Sequence, residues 1–300
     1  NHIVFKYPTE VMNNLFLVTE YLRDAIEREG RDPELEALTF IRTKAGNQLL
    51  QTEEGSYFRL YRMICCGEEM QKPTTPEEAY EAAKAVGEFH RRLRDFDSSQ
   101  LGATVPKLHD MRNAMRQLLD AVRADICFRT SDCQEQIQFV LDRSKQLNQI
   151  QDAMESKQIP RRVTHNDTRY SNVLIDSDSK KSICLIDLDT VMPGIVHYDF
   201  GDAIRSSCNT AGEETRNLDE VHFNMNYFEA FTAGFMEKAK HLFTLKEKKT
   251  LAQGCTLMTY LQAVRFLTDY LDGDHYYPIT YPEHNLQRAK VQVRLLQDME

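Results

Sequence analysis

The stretch Thr164-His165-Asn166-Asp167-Thr168-Arg169-Tyr170-Ser171-Asn172, with Ile186-Asp187-Leu188-Asp189 further along, decides how this chain is read. Between the two segments, Asn172 to Ile175 and Ile183 to Ile186 are short, largely apolar runs separated by Asp176-Ser177-Asp178-Ser179-Lys180-Lys181. That pattern predicts two buried strands joined by a polar turn, and Arg161 to Val163 reads as extended just ahead of them. Asp167 and Asn172 then stand at the lip of a small hairpin whose second strand ends on two more carboxylates. Such a placement aims several hard oxygen atoms into one cleft, the set a magnesium ion prefers when it carries a nucleotide phosphate.

Around this hairpin the chain reads mostly as helix. Upstream, Pro8-Thr9-Glu10 opens a stretch in which Val11, Leu15, Val18, Leu22 and Ile26 recur at helical spacing, and Gly30 ends it. Residues 37–64 change period and predict three antiparallel strands, Leu38 to Thr43, Gln48 to Thr52 and Tyr57 to Ile64, joined at Ala45-Gly46-Asn47 and Glu53-Glu54-Gly55. A polar connector follows to Pro73. Thr75-Pro76-Glu77-Glu78 then has the residues of a helix start, and Ala79, Ala82, Val86, Phe89, Leu93 and Phe96 mark the buried face of that helix. Further helices are expected at about 108–127, 132–157, 219–240, 246–272 and 283–300. The expected architecture is α+β: a small strand-rich piece over 1–66, a hinge near 65–73, and a large helical piece over 67–300 that holds the hairpin.

Composition narrows the function classes. Of 300 residues, 41% are apolar and 28% charged, ordinary values for a chain that folds in water. The 37 basic residues fall short of the 46 acidic ones, a net charge of −9, the wrong sign for binding nucleic acid or an anionic membrane. Seven scattered cysteines without a CxxC pair fit a reducing compartment, and Asn1 to Lys6 carry no export signal, so a cytoplasmic location is expected. His90, His109, His222, His241 and His284 show no zinc spacing and read as surface or interhelical hydrogen bonders, while Lys246-Glu247-Lys248-Lys249 reads as a solvated helix face.

The HxDxxxxN spacing before a hairpin ending in Asp resembles the catalytic and metal loops of the protein-kinase-like superfamily, in the form of its aminoglycoside phosphotransferase and choline kinase branch. Narrower still, Thr164 to Arg169, Ile186 to Gly194, Asp199 to Arg205 and Tyr281 to Leu286 together resemble N-acetylhexosamine 1-kinases, a likeness that runs with gaps over most of the chain. The resemblance implies a bilobal kinase-like fold, ATP as co-substrate with Mg2+, and phosphoryl transfer to the anomeric hydroxyl of an N-acetylhexosamine.

For individual residues, the resemblance makes Asp167 the carboxylate that orients the attacking hydroxyl and accepts its proton, with Asn172 and Asp187 on Mg2+. His165 reads as a structural partner of the loop backbone. Asp199 is expected to brace the same loop, as Asp202 or Arg205 could. Asp189 has three readings: the surroundings of the metal, the sugar, or a bond to the loop Val191 to Gly194. Arg265 stands beside an apolar stripe and could pair with Asp269 four residues on; the resemblance instead makes it, with Tyr276, a sugar contact. Adenine would meet backbone groups of Met63, Ile64, Cys65 and Cys66, the last two as free thiols.

A kinase-like small lobe opens with a glycine-rich hairpin and a strand bearing a phosphate-contacting Lys. The residues before the first helix supply neither, so the chain as given is expected to start inside that lobe, with Glu10, Glu20 or Glu27 as the partner for the missing cation. Two further readings stand beside the sugar kinase: a kinase of the same family acting on an amino alcohol or aminoglycoside, and a non-catalytic sugar- or nucleotide-binding relic. A monomer or weak homodimer is expected.

Overall fold

The computed structural model describes residues 2–3, 5–64 and 67–300. Cys65 and Cys66, named above for the hinge, lie outside the described residues. After a short strand β1 (His2–Ile3), helix α1 runs over Pro8–Arg28 with Pro8 in its first turn, and its apolar stripe is buried as the periodicity requires. A one-turn helix α2 (Pro33–Glu36) leads to β2 (Thr39–Ile41), β3 (Leu50–Gln51), β4 (Tyr57–Phe58) and β5 (Leu60–Arg62).

The third predicted strand is thus split at Arg59. Its first half pairs with β1 and β3 and its second with β2, all antiparallel. Arg59, between the two halves, occupies an inward position of the pleat and sends its guanidinium to Asp189.

The connector holds a strand that its polar composition hides. β6 (Gly67–Glu69) adds to the hairpin formed by β8 (Val173–Asp176) and β9 (Ser182–Leu185), pairing Gly67 with Asp176 and Glu69 with Leu174. Strand β7 (Arg162–Thr164) is partnered by β10 (Met192–Gly194), so the loop between β7 and β8 and the turn after β9 are pinned side by side.

Helix α3 (Pro76–Arg92) starts where expected: the Thr75 hydroxyl accepts the Glu78 N–H at 3.2 Å. Helices α4 (Met111–Ala124) and α5 (Gln134–Glu155) follow. Helix α6 (Val196–Ser207) went unread because every residue but Ser206 is buried, leaving no apolar stripe for a period to reveal. Then come α7 (Met225–Ala239), α8 (Leu245–Thr250), α9 (Gln253–Asp272) and α10 (His284–Met299); α8 and α9 divide what the sequence suggests as one helix. The expected solvated face at 246–249 holds one exception. Glu247 is fully buried, closes a capping box with Thr244 and pairs with Arg162 at 2.8 Å.

Two large apolar cores result, beside a small cluster of Val221, Val291 and Leu295. One joins α1, α3, α6, α7 and the hairpin, and the other joins α4, α5, α9 and α10. They meet where α6 crosses α9 at Gly201 and Gly254. A β-carbon on Gly201 would lie 2.1 Å from the Gly254 carbonyl oxygen, so only bare backbone fits. No helix among the described residues is long and apolar enough to cross a membrane.

Candidate functional site

The chain leaves β7 at Thr164 and turns sharply through Asn166, whose φ of 66° is left-handed. Asn tolerates this when its side chain bonds locally, and here Nδ2 donates to the carbonyls of Thr190 (2.9 Å) and Thr164 (3.1 Å). Asp199, in the first turn of α6, accepts the N–H groups of His165 (2.9 Å) and Asn166 (2.7 Å), and His90 Nε2 of α3 stands 3.0 Å from the same carboxylate. Burial works to raise the Asp199 pKa, yet His90, His165 and the Asn166 N–H hold it below the usual carboxylate range. His165 Nδ1 accepts the Asp167 N–H at 3.2 Å, so its proton sits on Nε2 and is donated to the Ile186 carbonyl at 2.8 Å. The loop is therefore fastened to α6 behind it and to the end of β9 beside it.

On this frame the Asp167 side chain is clasped by Arg169, whose Nε and Nη2 donate to its two oxygens at 2.8 and 3.2 Å. Burial favours the neutral acid, but Arg169, His165 and Arg205 outweigh it and keep the pKa low, so the group is a carboxylate at neutral pH. Asn172 donates through Nδ2 to the Asp167 carbonyl at 2.8 Å. Asp187 sits left-handed at φ 57° just past β9; burial, then the charges of Asp189 and Asp167, push its pKa up.

Two cavities open from this loop. One, of about 800 Å³, is lined by Met63, Ile64, Asn172, Asp187 and Asp189 together with Arg59. The other, of about 320 Å³, takes Asp167, Arg169, His109, Asp202, Arg265 and Tyr276 into its wall. A third, of about 290 Å³, shares Arg265 and Tyr276 with the second. Arg265 and Tyr276, 98 and 109 residues downstream of Asp167, thus line the same space as that carboxylate.

Several expectations need correcting. Asp189 has a partner the sequence did not suggest: Arg59 donates to both its oxygens (Nη2 to Oδ2 2.9 Å) in the wall of the larger cavity. Asp202 and Arg205 pair with each other at 2.8 Å in the wall of the second cavity rather than touching the loop backbone. Asp269 does not pair with Arg265; it is buried and accepts the N–H groups of His275, Tyr276 and Tyr277 at 2.8–3.0 Å, shaping the turn that presents Tyr276. Of the two readings of His109, surface residue or interhelical hydrogen bonder, the first fails: it is buried and hydrogen-bonds both Asn166 and Arg265.

The residues that sequence reasoning missed are Arg59, Arg169 and His109. A charged residue at an inward strand position could have flagged Arg59, and the +2 position after Asp167 could have flagged Arg169. Nothing local marks His109.

Comparison with known proteins bears on the family and the fold. The model of the phosphotransferase enzyme family matches residues 26–228. Among solved structures, an aminoglycoside phosphotransferase from Alicyclobacillus acidocaldarius is similar over 96% of this chain and 82% of its own, with a TM-score of 0.64 at 14% identity. An amicoumacin kinase, solved in complex with AMP-PNP and Ca2+, is similar over 94% of this chain and 77% of its own (TM-score 0.56, 11% identity). A microcompartment-associated aminopropanol kinase covers 93% and 80% (TM-score 0.52, 15% identity). At such identities the likeness is one of fold.

Proposed function

The chain belongs to the phosphotransferase enzyme family and is a small-molecule phosphotransferase; from that premise we propose that it transfers the terminal phosphoryl group of ATP to the anomeric hydroxyl of an N-acetylhexosamine. One observation carries the reading: Asp167, Arg265 and Tyr276, distant in sequence, line one cavity of about 320 Å³, within the range usual for small-molecule sites.

In this reading the acceptor sits between Arg265 and Tyr276 with its hydroxyl against Asp167. The carboxylate orients that hydroxyl and takes its proton as the oxygen bonds to phosphorus, and ADP leaves on the far side. Arg169 keeps Asp167 ionised and in place. His165 and Asp199 hold the loop that carries it. The larger cavity takes the nucleotide, with Met63 and Ile64 at its adenine end. Asn172 and Asp187 would hold Mg2+. The donor set fits, since Asp187 is a carboxylate at the cavity wall crowded by the charges of Asp189 and Asp167. When bound, the ion would neutralise phosphate charge. The division of the chain at 66/67 belongs to the same proposal, with closure of the small piece over the large one excluding water.

The charge of the acceptor cavity favours a neutral sugar over a polycation. Asp167, Asp202, Glu213 and Glu214 in its wall are matched one for one by Arg169, Arg205, Arg265 and Arg288, so the net −9 of the chain is not expressed there. The test is phosphorus NMR of the full-length protein with Mg-ATP and either N-acetylglucosamine or N-acetylgalactosamine. Growth of an anomeric sugar-phosphate signal as ATP falls is expected. Intact ATP with both sugars, and turnover of an amino alcohol or aminoglycoside instead, would overturn the acceptor assignment.

A further inference from the structure

Arg265 can engage an acceptor only if something holds its guanidinium in the cavity, and the residue that does so is His109. It lies in the loop before α4, directly ahead of the capping residue Asp110. The residue is 7% exposed, and its ring packs 4.6 Å, centroid to centroid, from the ring of Tyr198 in α6. Each ring nitrogen has one partner. Nε2 is 3.1 Å from the carbonyl oxygen of Asn166, and Nδ1 is 3.1 Å from Nη2 of Arg265 in α9.

A guanidinium has only donors, so Nδ1 must offer its lone pair and the proton must reside on Nε2, where the Asn166 carbonyl accepts it. The two bonds fix one neutral tautomer between them. Burial, then the charge of Arg265, bring the His109 pKa down to about 3, against the opposing pull of the Asn166 carbonyl, Asp199 and Asp167. Asn166 is otherwise committed, its N–H to Asp199 and its amide to Thr164 and Thr190. Its carbonyl is the group left to tie the peptide ahead of Asp167 to the acceptor side, and His109 takes it.

We propose that His109 is a positioning residue that fixes the Arg265 guanidinium in the acceptor cavity and ties it to the Asn166–Asp167 peptide, so that the acceptor-binding cation and the hydroxyl-orienting carboxylate keep one spacing. The proposal rests on the acceptor-binding role of Arg265 given above. Its distinguishing consequence is that the two halves of the connector affect different kinetic constants.

Two variants separate the halves. In His109→Asn the amide oxygen falls near the place of Nδ1, which keeps a partner for Arg265 and loses the donor to Asn166. In His109→Gln the amide nitrogen reaches the place of Nε2, which keeps the Asn166 bond and releases Arg265. With Mg-ATP and N-acetylgalactosamine or N-acetylglucosamine as probes, His109→Gln should raise the acceptor KM about tenfold with the ATP KM within about twofold, whereas His109→Asn should act mainly on kcat. In the double variant with Arg265→Ala, the acceptor KM should equal that of Arg265→Ala alone, because Arg265 is already disengaged. Parallel rises in both KM values, or additive effects in the double variant, overturn the proposal.

Histidine-selective nitrogen NMR of the unliganded protein gives a readout that needs no acceptor. The ring should remain neutral with Nε2 protonated from about pH 5 to 8, and Arg265→Ala should perturb Nδ1. A ring that titrates in that range, or that carries its proton on Nδ1, overturns the proposal. If neither sugar is turned over, the acceptor identity alone fails and the NMR result decides the role of His109.

Discussion

Replacing Asp199 by Asn tests whether the loop is held from behind by a charge. The carboxylate accepts two backbone N–H groups at 2.9 and 2.7 Å and meets His90 at 3.0 Å, in a site with no exposed surface. An amide offers one oxygen to two N–H donors and turns its own NH2 toward the other. One charge-assisted bond is lost and one buried N–H is left unpaired, together about 3–5 kcal/mol. For 300 residues the unfolding entropy converts this to a fall in Tm of roughly 5–8 °C. Differential scanning calorimetry of the two proteins at pH 7 is the assay. Because the folded pKa of Asp199 lies below its ordinary value of 3.8, its contribution is complete above that value and disappears as the pH falls through the folded pKa, so the gap between the proteins should close in acid. The Asp199→Asn protein should also show lower kcat, since Asn166 and Asp167 lose their anchor. A Tm within about 1 °C of the parent at neutral pH would refute the reasoning.

Asp167→Asn should fold normally and lose about 10²–10⁴ in kcat, measured by coupled ADP release; activity within tenfold of the parent would remove Asp167 from its role. The depressed pKa of Asp167 further places the acid limb of kcat/KM below the ordinary carboxylate range, and a limb near neutrality in the pH profile would contradict it. Arg162→Leu strands the fully buried carboxylate of Glu247 and should cost about 3–5 kcal/mol in urea denaturation, where an exposed pair would cost under about 1 kcal/mol. Gly201→Ala forces a methyl group to 2.1 Å from the Gly254 carbonyl and should yield little soluble protein or a sharply lowered Tm; parental stability would mean that the two helices do not cross there.

Elements with local signals were legible in the sequence. The Pro-started, striped helix α1, the Thr-capped α3 and the hairpin β8–β9 announce themselves through end residues and period. What escaped lacks a local signal. Helix α6 is buried on all sides, β6 is a polar strand at the sheet edge, and Arg59, at the strand break, has its partner in a carboxylate 130 residues away. The same holds for the site. The spacing of Asp167, Asn172 and Asp187 is local to one hairpin, and its loop could be read directly. His109 could not, because its partners come from a loop 57 residues on and a helix 156 residues on, and only the packing of α4 beside α9 unites them.

The crossing of α6 and α9 at Gly201 and Gly254 has a consequence for how such an enzyme changes. Asp199, behind the loop that carries Asp167, and Arg265, in front of it, stand on two helices whose backbones meet directly at this crossing. On the proposed function, drift in neighbouring side chains can therefore reshape the acceptor cavity, and with it the range of compounds admitted, while the backbone contact keeps Asp199 and Arg265 at one spacing. Selectivity can wander on such a scaffold without the reaction being relearned.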